Sequence, residues 1–132
     1  MSELDYKAEV LNPKWWLIIN AIGHAVIGVL LQMDPDNDVE LTIAGVFLVI
    51  AVYMLYAAFM TTGRAQARLA AVIAGPFWVW LVMCIALGVE ITYADGTATE
   101  MLSFELSDNM PPLIFWGMTA LTGVLGWNME DE

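Results

Sequence analysis

Residues 41–61 read LTIAGVFLVIAVYMLYAAFMT and contain no Asp, Glu, Lys or Arg. An α-helix rises about 1.5 Å per residue, so this stretch reaches about 30 Å, the thickness of the hydrocarbon core of a bilayer. Lipid offers the backbone no hydrogen-bonding partner, and a helix satisfies its own backbone groups. The stretch therefore predicts a transmembrane helix.

Three further segments are similarly apolar, and apart from Arg68 at the start of one of them the charged residues lie outside these segments. We predict their spans at about residues 15–33, 67–89 and 112–128. The 132-residue chain is 60% apolar and only 14% charged, whereas soluble domains are about 25% charged. The predicted fold class is one all-α integral membrane domain: an antiparallel, up-down-up-down bundle of four transmembrane helices, with a small outer loop element at residues 90–111.

The ends of the first and fourth helices carry recognisable signals. Asn12 is suited to cap the first helix and Pro13 to occupy its first position. The segment before them is acidic and no small-residue cleavage site follows, so we expect this helix to stay in the protein rather than act as a signal peptide. We expect the short fourth span either to stand upright or to have Trp116 and Trp127 mark the two faces of a thin slab.

The basic residues predict the orientation. All four, Lys7, Lys14, Arg64 and Arg68, fall in the N-terminal segment or between spans two and three. The positive-inside rule then places both termini in the cytoplasm, and we expect a prokaryotic inner membrane or a plasma membrane. The predicted outer loops hold nine acidic residues and no cation: Asp34, Asp36, Asp38, Glu40, Glu90, Asp95, Glu100, Glu105 and Asp108.

The predicted outer loop at 90–111 is too long to be a simple connector. Its Asp95-Gly96 pair is typical of a tight turn between two short extended segments. Residues 101–106 could follow as a short interfacial helix. We expect a small hairpin or turn followed by a helical piece.

The first span is the least suited to lipid, because Asn20, His24 and Gly28 recur every four residues on one face. We expect that face to point into the bundle. His24, the only histidine, could bind a chlorophyll-type pigment or a haem, could hydrogen-bond a quinone or relay a proton with Asn20 beside it, or could simply bond to a polar neighbour across the bundle.

Close helix packing is predicted where small residues recur at a spacing of four. In span two, Tyr53 and Tyr56 share a face and are predicted to be packed core aromatics rather than a ligand box. The predicted packing positions are Ala21, Ala25, Gly28, Ala71, Gly75 and Gly123.

Several classes of function receive no support. The lone Cys84 cannot form an intramolecular disulfide, and Asp34-x-Asp36-x-Asp38-x-Glu40 lacks the glycine of a calcium loop. We predict no catalytic group and no metal site. A net charge of −11 with four cations argues against nucleic-acid binding.

The remaining hypotheses are three. The first is an accessory or structural subunit of a larger respiratory, photosynthetic or transport complex, packing in the lipid bilayer against other membrane protein subunits or itself. The second is a small homo-oligomeric transporter or channel, since four short helices enclose little volume. The third is a protein that binds a pigment, haem or quinone through His24.

Overall fold

The computed structural model describes residues 11–99 and 101–129, which form four helices. Helix α1 (Pro13–Gly23) continues into a π-helical segment (His24–Leu30), and α2 (Asp38–Met60), α3 (Gly63–Ala86) and α4 (Met110–Leu125) follow. The helices Pro13–Leu30, Asp38–Met60 and Gly63–Ala86 are long and apolar enough to span a membrane, while α4 is a shorter apolar helix. The predicted all-helical fold with four helices is confirmed for this part of the chain.

Asparagine side chains begin the first two helices. The Asn12 Oδ1 accepts a hydrogen bond of 3.0 Å from the Lys14 amide, which confirms the predicted cap. The Asn37 Oδ1 accepts from the amides of Val39 and Glu40, at 3.0 and 3.2 Å. This second cap starts α2 at Asp38, before the predicted boundary at residue 41.

The beginning of α3 lies against the end of α4, so these two helices run antiparallel. A Cβ added to Gly123 would lie 2.4 Å from the Ala71 amide nitrogen and 2.6 Å from the Ala67 carbonyl oxygen. Only the missing side chain allows this approach. At the same end, the Arg68 Nε donates to the carbonyl of Trp127 at 3.1 Å. Helix α3 continues through Pro76.

Most of the buried side chains of helix α2 are alanines and Met54, and Glu40 is buried near its start. The opposite face is open, and Tyr53 and Tyr56 are 57% and 59% exposed. The prediction that these tyrosines are packed core aromatics is therefore wrong. The Ala57, Ala58 and Met54 positions form the buried face instead, because alanine allows α1 and α3 to approach closely.

The loop between α3 and α4 contains the predicted turn. The Tyr93 amide donates to the Thr97 carbonyl at 2.7 Å, Thr92 and Ala98 form an isolated antiparallel bridge, and Gly96 has a φ of +86°. The positive φ is one that glycine adopts without strain. Residues 106–109 form turns, so the predicted interfacial helix is wrong. The Asp95 carboxylate accepts from the amide and hydroxyl of Thr97, which lowers the pKa of Asp95.

Some predictions fall on residues outside the described part of the chain. They concern the acidic N-terminal segment with Lys7, the acidic position 100 and the acidic residues 130–132.

Candidate functional site: an aromatic pocket around His24

The imidazole of His24 is 9% exposed and is held by one backbone hydrogen bond. Its Nε2 lies 3.0 Å from the carbonyl oxygen of Phe47 on α2. A carbonyl oxygen only accepts hydrogen bonds, so Nε2 carries the proton and donates it. The other ring nitrogen, Nδ1, then presents a lone pair, and none of the hydrogen bonds described for this part of the chain involves it.

The π-helical segment that starts at His24 changes which residues face inward. Its backbone bonds join residues five apart, as in the 3.0 Å bond from the Leu31 amide to the Val26 carbonyl. The buried face therefore continues from His24 to Val29, five residues on, and not to Gly28. Gly28 is exposed at the pocket wall, where an added Cβ would lie 3.7 Å from the His24 Nδ1.

Asn20 lies one α-helical turn before His24 and is more deeply buried, with 2% of its surface exposed. Its side-chain nitrogen Nδ2 has no hydrogen-bond partner among the described residues. A buried polar group without a partner destabilises a protein by about 1–3 kcal/mol. Such a group is expected where a bound water or ligand completes the hydrogen bond.

Aromatic rings from three helices surround the imidazole. Trp116 of α4 meets it edge-to-face at a centroid distance of 5.1 Å, and Phe77 of α3 does so at 5.7 Å. Trp116 and Phe77 are stacked on each other at 3.9 Å with 22° between their planes. The Trp116 side chain is 2% exposed and belongs to the core, so it packs inside the bundle instead of on its outer surface.

These rings line a cavity of about 440 Å³. Ligand pockets commonly have volumes of about 300–1,000 Å³, with apolar walls and a few polar groups. Asn20 and His24 supply polar groups at the α1 side. The aromatic walls are formed by Phe47, Phe77, Trp80, Phe104, Phe115 and Trp116.

The loop before α4 closes one side of the pocket. Phe104 is buried and meets Trp80 edge-to-face at 5.4 Å. The Asn109 side chain donates to the carbonyls of Ser103 and Glu105, each at 2.7 Å, which holds the loop in a compact shape.

A buried carboxylate anchors the preceding part of the loop to α2. Glu40 is 5% exposed and accepts hydrogen bonds from the Tyr93 hydroxyl, from the Thr99 hydroxyl at 2.9 Å and from the Asp34 amide at 2.6 Å. The bond to Glu40 raises the pKa of Tyr93, because the carboxylate stabilises the neutral phenol. Sequence reasoning treated Glu40 only as a loop charge and missed this role.

The sequence-predicted packing residues lie in different places. Ala21 is buried in the core beside Trp116, and Ala25 is half-buried. Ala71 and Gly123 meet at the α3–α4 contact described above, whereas a Cβ on Gly75 would find nothing within 4 Å. Cys84 is buried in a separate apolar cluster with Leu81 and Phe104.

A haem or chlorophyll macrocycle does not fit this arrangement. Its metal would need an imidazole nitrogen that points away from the histidine backbone, and Nε2 already donates to Phe47. Nδ1 is adjacent to the ring carbon that carries Cβ, so a macrocycle bound there would collide with the helix. The rings of Phe47, Phe77 and Trp116 within 5.1–5.7 Å of the imidazole centroid also leave no room for a large disc.

The cavity of about 440 Å³ is large enough for a small planar ligand. Such a ligand can lie against the aromatic walls and exchange hydrogen bonds with Asn20 and His24. Among the described residues, no group of three or more His, Cys, Asp or Glu side chains is placed to hold a metal ion. Comparisons with protein-family models, with curated proteins and with solved structures give no match.

Proposed function

We propose that this chain is an integral membrane protein that crosses the bilayer four times, with both termini in the cytoplasm. The described basic residues support this orientation, since they gather at one end of the bundle. Arg64 and Arg68 donate to carbonyls just after α4, and the Lys14 ammonium lies 5.8 Å from the Phe59 ring at the end of α2. Lys and Arg concentrate on the cytoplasmic side of membrane proteins.

Within that frame, the function we propose is to bind a small planar ligand of the quinone class inside the bundle. The observation that carries the proposal is the aromatic pocket in which the buried Asn20 amide nitrogen has no partner and the His24 Nδ1 lone pair is available. A quinone ring offers flat faces to the aromatic walls and a carbonyl oxygen that can accept a hydrogen bond from the Asn20 amide. Polar groups inside a membrane protein are costly and usually serve such a site.

Tryptophan fluorescence provides a direct test, because Trp80 and Trp116 line the pocket and quinones quench indole emission on contact. The protein in mild detergent is titrated with a short-chain naphthoquinone. We expect saturable quenching that weakens at least tenfold in Asn20→Leu. The matched control is Ile22→Ala, which changes a 56% exposed side chain on the same helix and should leave the titration unchanged.

Linear, unsaturable quenching in the wild type would contradict the proposal, as would identical curves for the wild type and Asn20→Leu. A Trp116→Phe variant identifies the signal, since the saturable component should shrink when this pocket indole is removed.

A second role, as an accessory subunit of a larger membrane complex or of a homo-oligomer, is favoured by a separate observation. A Cβ at Gly45 on α2 or at Gly75 on α3 would find nothing within 4 Å among the described residues, so neither position is in close contact with another described helix. In an apolar 18-residue stretch of each of the three long helices, only 22–28% of the residues are buried. Small residues let the helices of another subunit approach closely.

Mass measurement after extraction in mild detergent tests the second role. We expect a complex larger than one chain, and we expect Gly45→Leu to disrupt it without loss of helical content. A monomer that is unaffected by Gly45→Leu would argue against this role.

A further inference from the structure

Two polar groups of the first helix at the pocket, a donor and an acceptor, have no hydrogen bond to another described residue. The donor is the Asn20 amide nitrogen, and the acceptor is the His24 Nδ1. Residues four apart on a helix have Cβ atoms about 5–6 Å apart. The His24 Nδ1 lies on the side of Gly28, whose added Cβ would be 3.7 Å from it, whereas Asn20 lies one turn in the other direction.

We propose that the pocket discriminates by redox state and binds the hydroxyl-bearing quinol more tightly than the carbonyl-bearing quinone. This inference rests on the proposed quinone-class function. A hydroxyl group donates its proton to the His24 Nδ1 and so gives this nitrogen a hydrogen-bond partner. A ketone oxygen only accepts, and it leaves Nδ1 without a partner.

The imidazole cannot exchange roles at low cost. If its proton moved to Nδ1, the Nε2 lone pair would face the Phe47 carbonyl oxygen at 3.0 Å and that hydrogen bond would be lost. The tautomer is therefore set by α2, not by the ligand. The surrounding rings of Phe47, Phe77 and Trp116 keep the imidazole in this orientation.

The expected preference is about tenfold, because a buried acceptor left unpaired weakens binding by about this factor or more. A tenfold ratio corresponds to about 1.4 kcal/mol. For a two-electron couple, tenfold tighter binding of the quinol raises the midpoint potential of the bound ligand by about 30 mV, because the reduced form is stabilised.

A redox-inert pair of probes isolates the hydrogen bond from electron transfer. 1-Naphthol carries a hydroxyl group, and 1-methoxynaphthalene carries an oxygen that only accepts. Each compound is titrated into the purified protein in the presence of the naphthoquinone. Its affinity is measured from the loss of tryptophan quenching as it displaces the naphthoquinone. We expect naphthol to bind the wild type about tenfold more tightly than the methoxy compound.

The His24→Phe variant keeps an aromatic ring in place but removes Nδ1. We expect naphthol affinity to fall to that of the methoxy compound, whose own affinity should change less than twofold. Gly28→Ala provides a milder second variant, because its methyl group would lie in ordinary contact with Nδ1 at 3.7 Å and restrict access to it. Gly28→Ala should lower the affinity for naphthol more than the affinity for the methoxy compound. Ile22→Ala should preserve the ratio.

The outcomes separate the two proposals. If neither probe nor the naphthoquinone binds, the quinone-class function is wrong and the redox preference falls with it. If the ligands bind but naphthol and the methoxy compound have equal affinities, the function stands and the preference is wrong. A tenfold ratio that survives in His24→Phe would also overturn the preference.

Discussion

Replacement of Gly123 by alanine should disrupt the contact between α3 and α4. The new Cβ would lie 2.4 Å from the Ala71 nitrogen and 2.6 Å from the Ala67 oxygen, and both are backbone atoms of a helix that cannot move aside locally. Ordinary contact begins near 3.4 Å, so the helices must separate by about 1 Å. Overpacking of this kind destabilises proteins by about 1–3 kcal/mol.

The helix propensity of alanine acts in the opposite direction and offsets part of the destabilisation caused by overpacking. Alanine is favoured over glycine inside a helix by about 0.5–1 kcal/mol. We therefore expect Gly123→Ala to lower the free energy of unfolding by about 1–2 kcal/mol. Gly45→Ala is the matched control, since its Cβ would find nothing within 4 Å and only the propensity gain remains.

Unfolding in detergent, followed by near-ultraviolet circular dichroism and tryptophan emission, measures both variants. We expect Gly45→Ala to be as stable as the wild type or slightly more stable, and Gly123→Ala to be clearly less stable. The reasoning would be refuted if Gly123→Ala matched the wild type, or if Gly45→Ala lost as much stability as Gly123→Ala.

Two further predictions concern the 87–109 loop. Glu40→Gln should weaken the bonds to Tyr93 and Thr99 and speed amide exchange at residues 91–99. In this variant the Tyr93 phenol, whose signal is assigned by comparison with Tyr93→Phe, should titrate at lower pH than in the wild type. The pKa of Tyr93 is raised in the folded protein. The stability that comes from the Tyr93–Glu40 bond is therefore present below the unfolded tyrosine pKa and is lost as pH rises through the folded value. An unchanged Tyr93 titration in Glu40→Gln would count against this role of Glu40. Asp95→Cys in a Cys84→Ala background should react with an impermeant maleimide on intact cells, and labelling seen only after the cells are opened would reverse the proposed orientation.

Sequence reasoning succeeded for features that depend on neighbouring residues. The uncharged stretches predict the helices, Asn12 predicts a cap and Asp95-Gly96 predicts a turn, because each requires only local backbone geometry and local hydrogen bonds. The small and polar face of α1 also identified Asn20 and His24 as residues unsuited to lipid. Both residues are buried in the structure, as expected.

The walls of the pocket could not be read from the sequence. Helix α2 is apolar on all sides, so periodicity does not indicate which face is buried, and Tyr53, predicted to pack, is exposed. A tryptophan such as Trp116 in an apolar segment looks the same in the sequence whether it lies at a membrane interface or in the core. The π-helical segment, which moves Gly28 from the buried face to the pocket wall, has no sequence signal that we recognised.

The sequence alone determined that the chain forms apolar helices separated by charged loops, because the free energy of placing charge or bare backbone in an apolar environment is large and depends on composition. The tertiary structure decided that Phe47, Phe77 and Trp116 meet around His24 and that Nδ1 is the nitrogen left available. Many pairings of apolar helix faces have similar energies, and small differences in packing between side chains distant in sequence select among them.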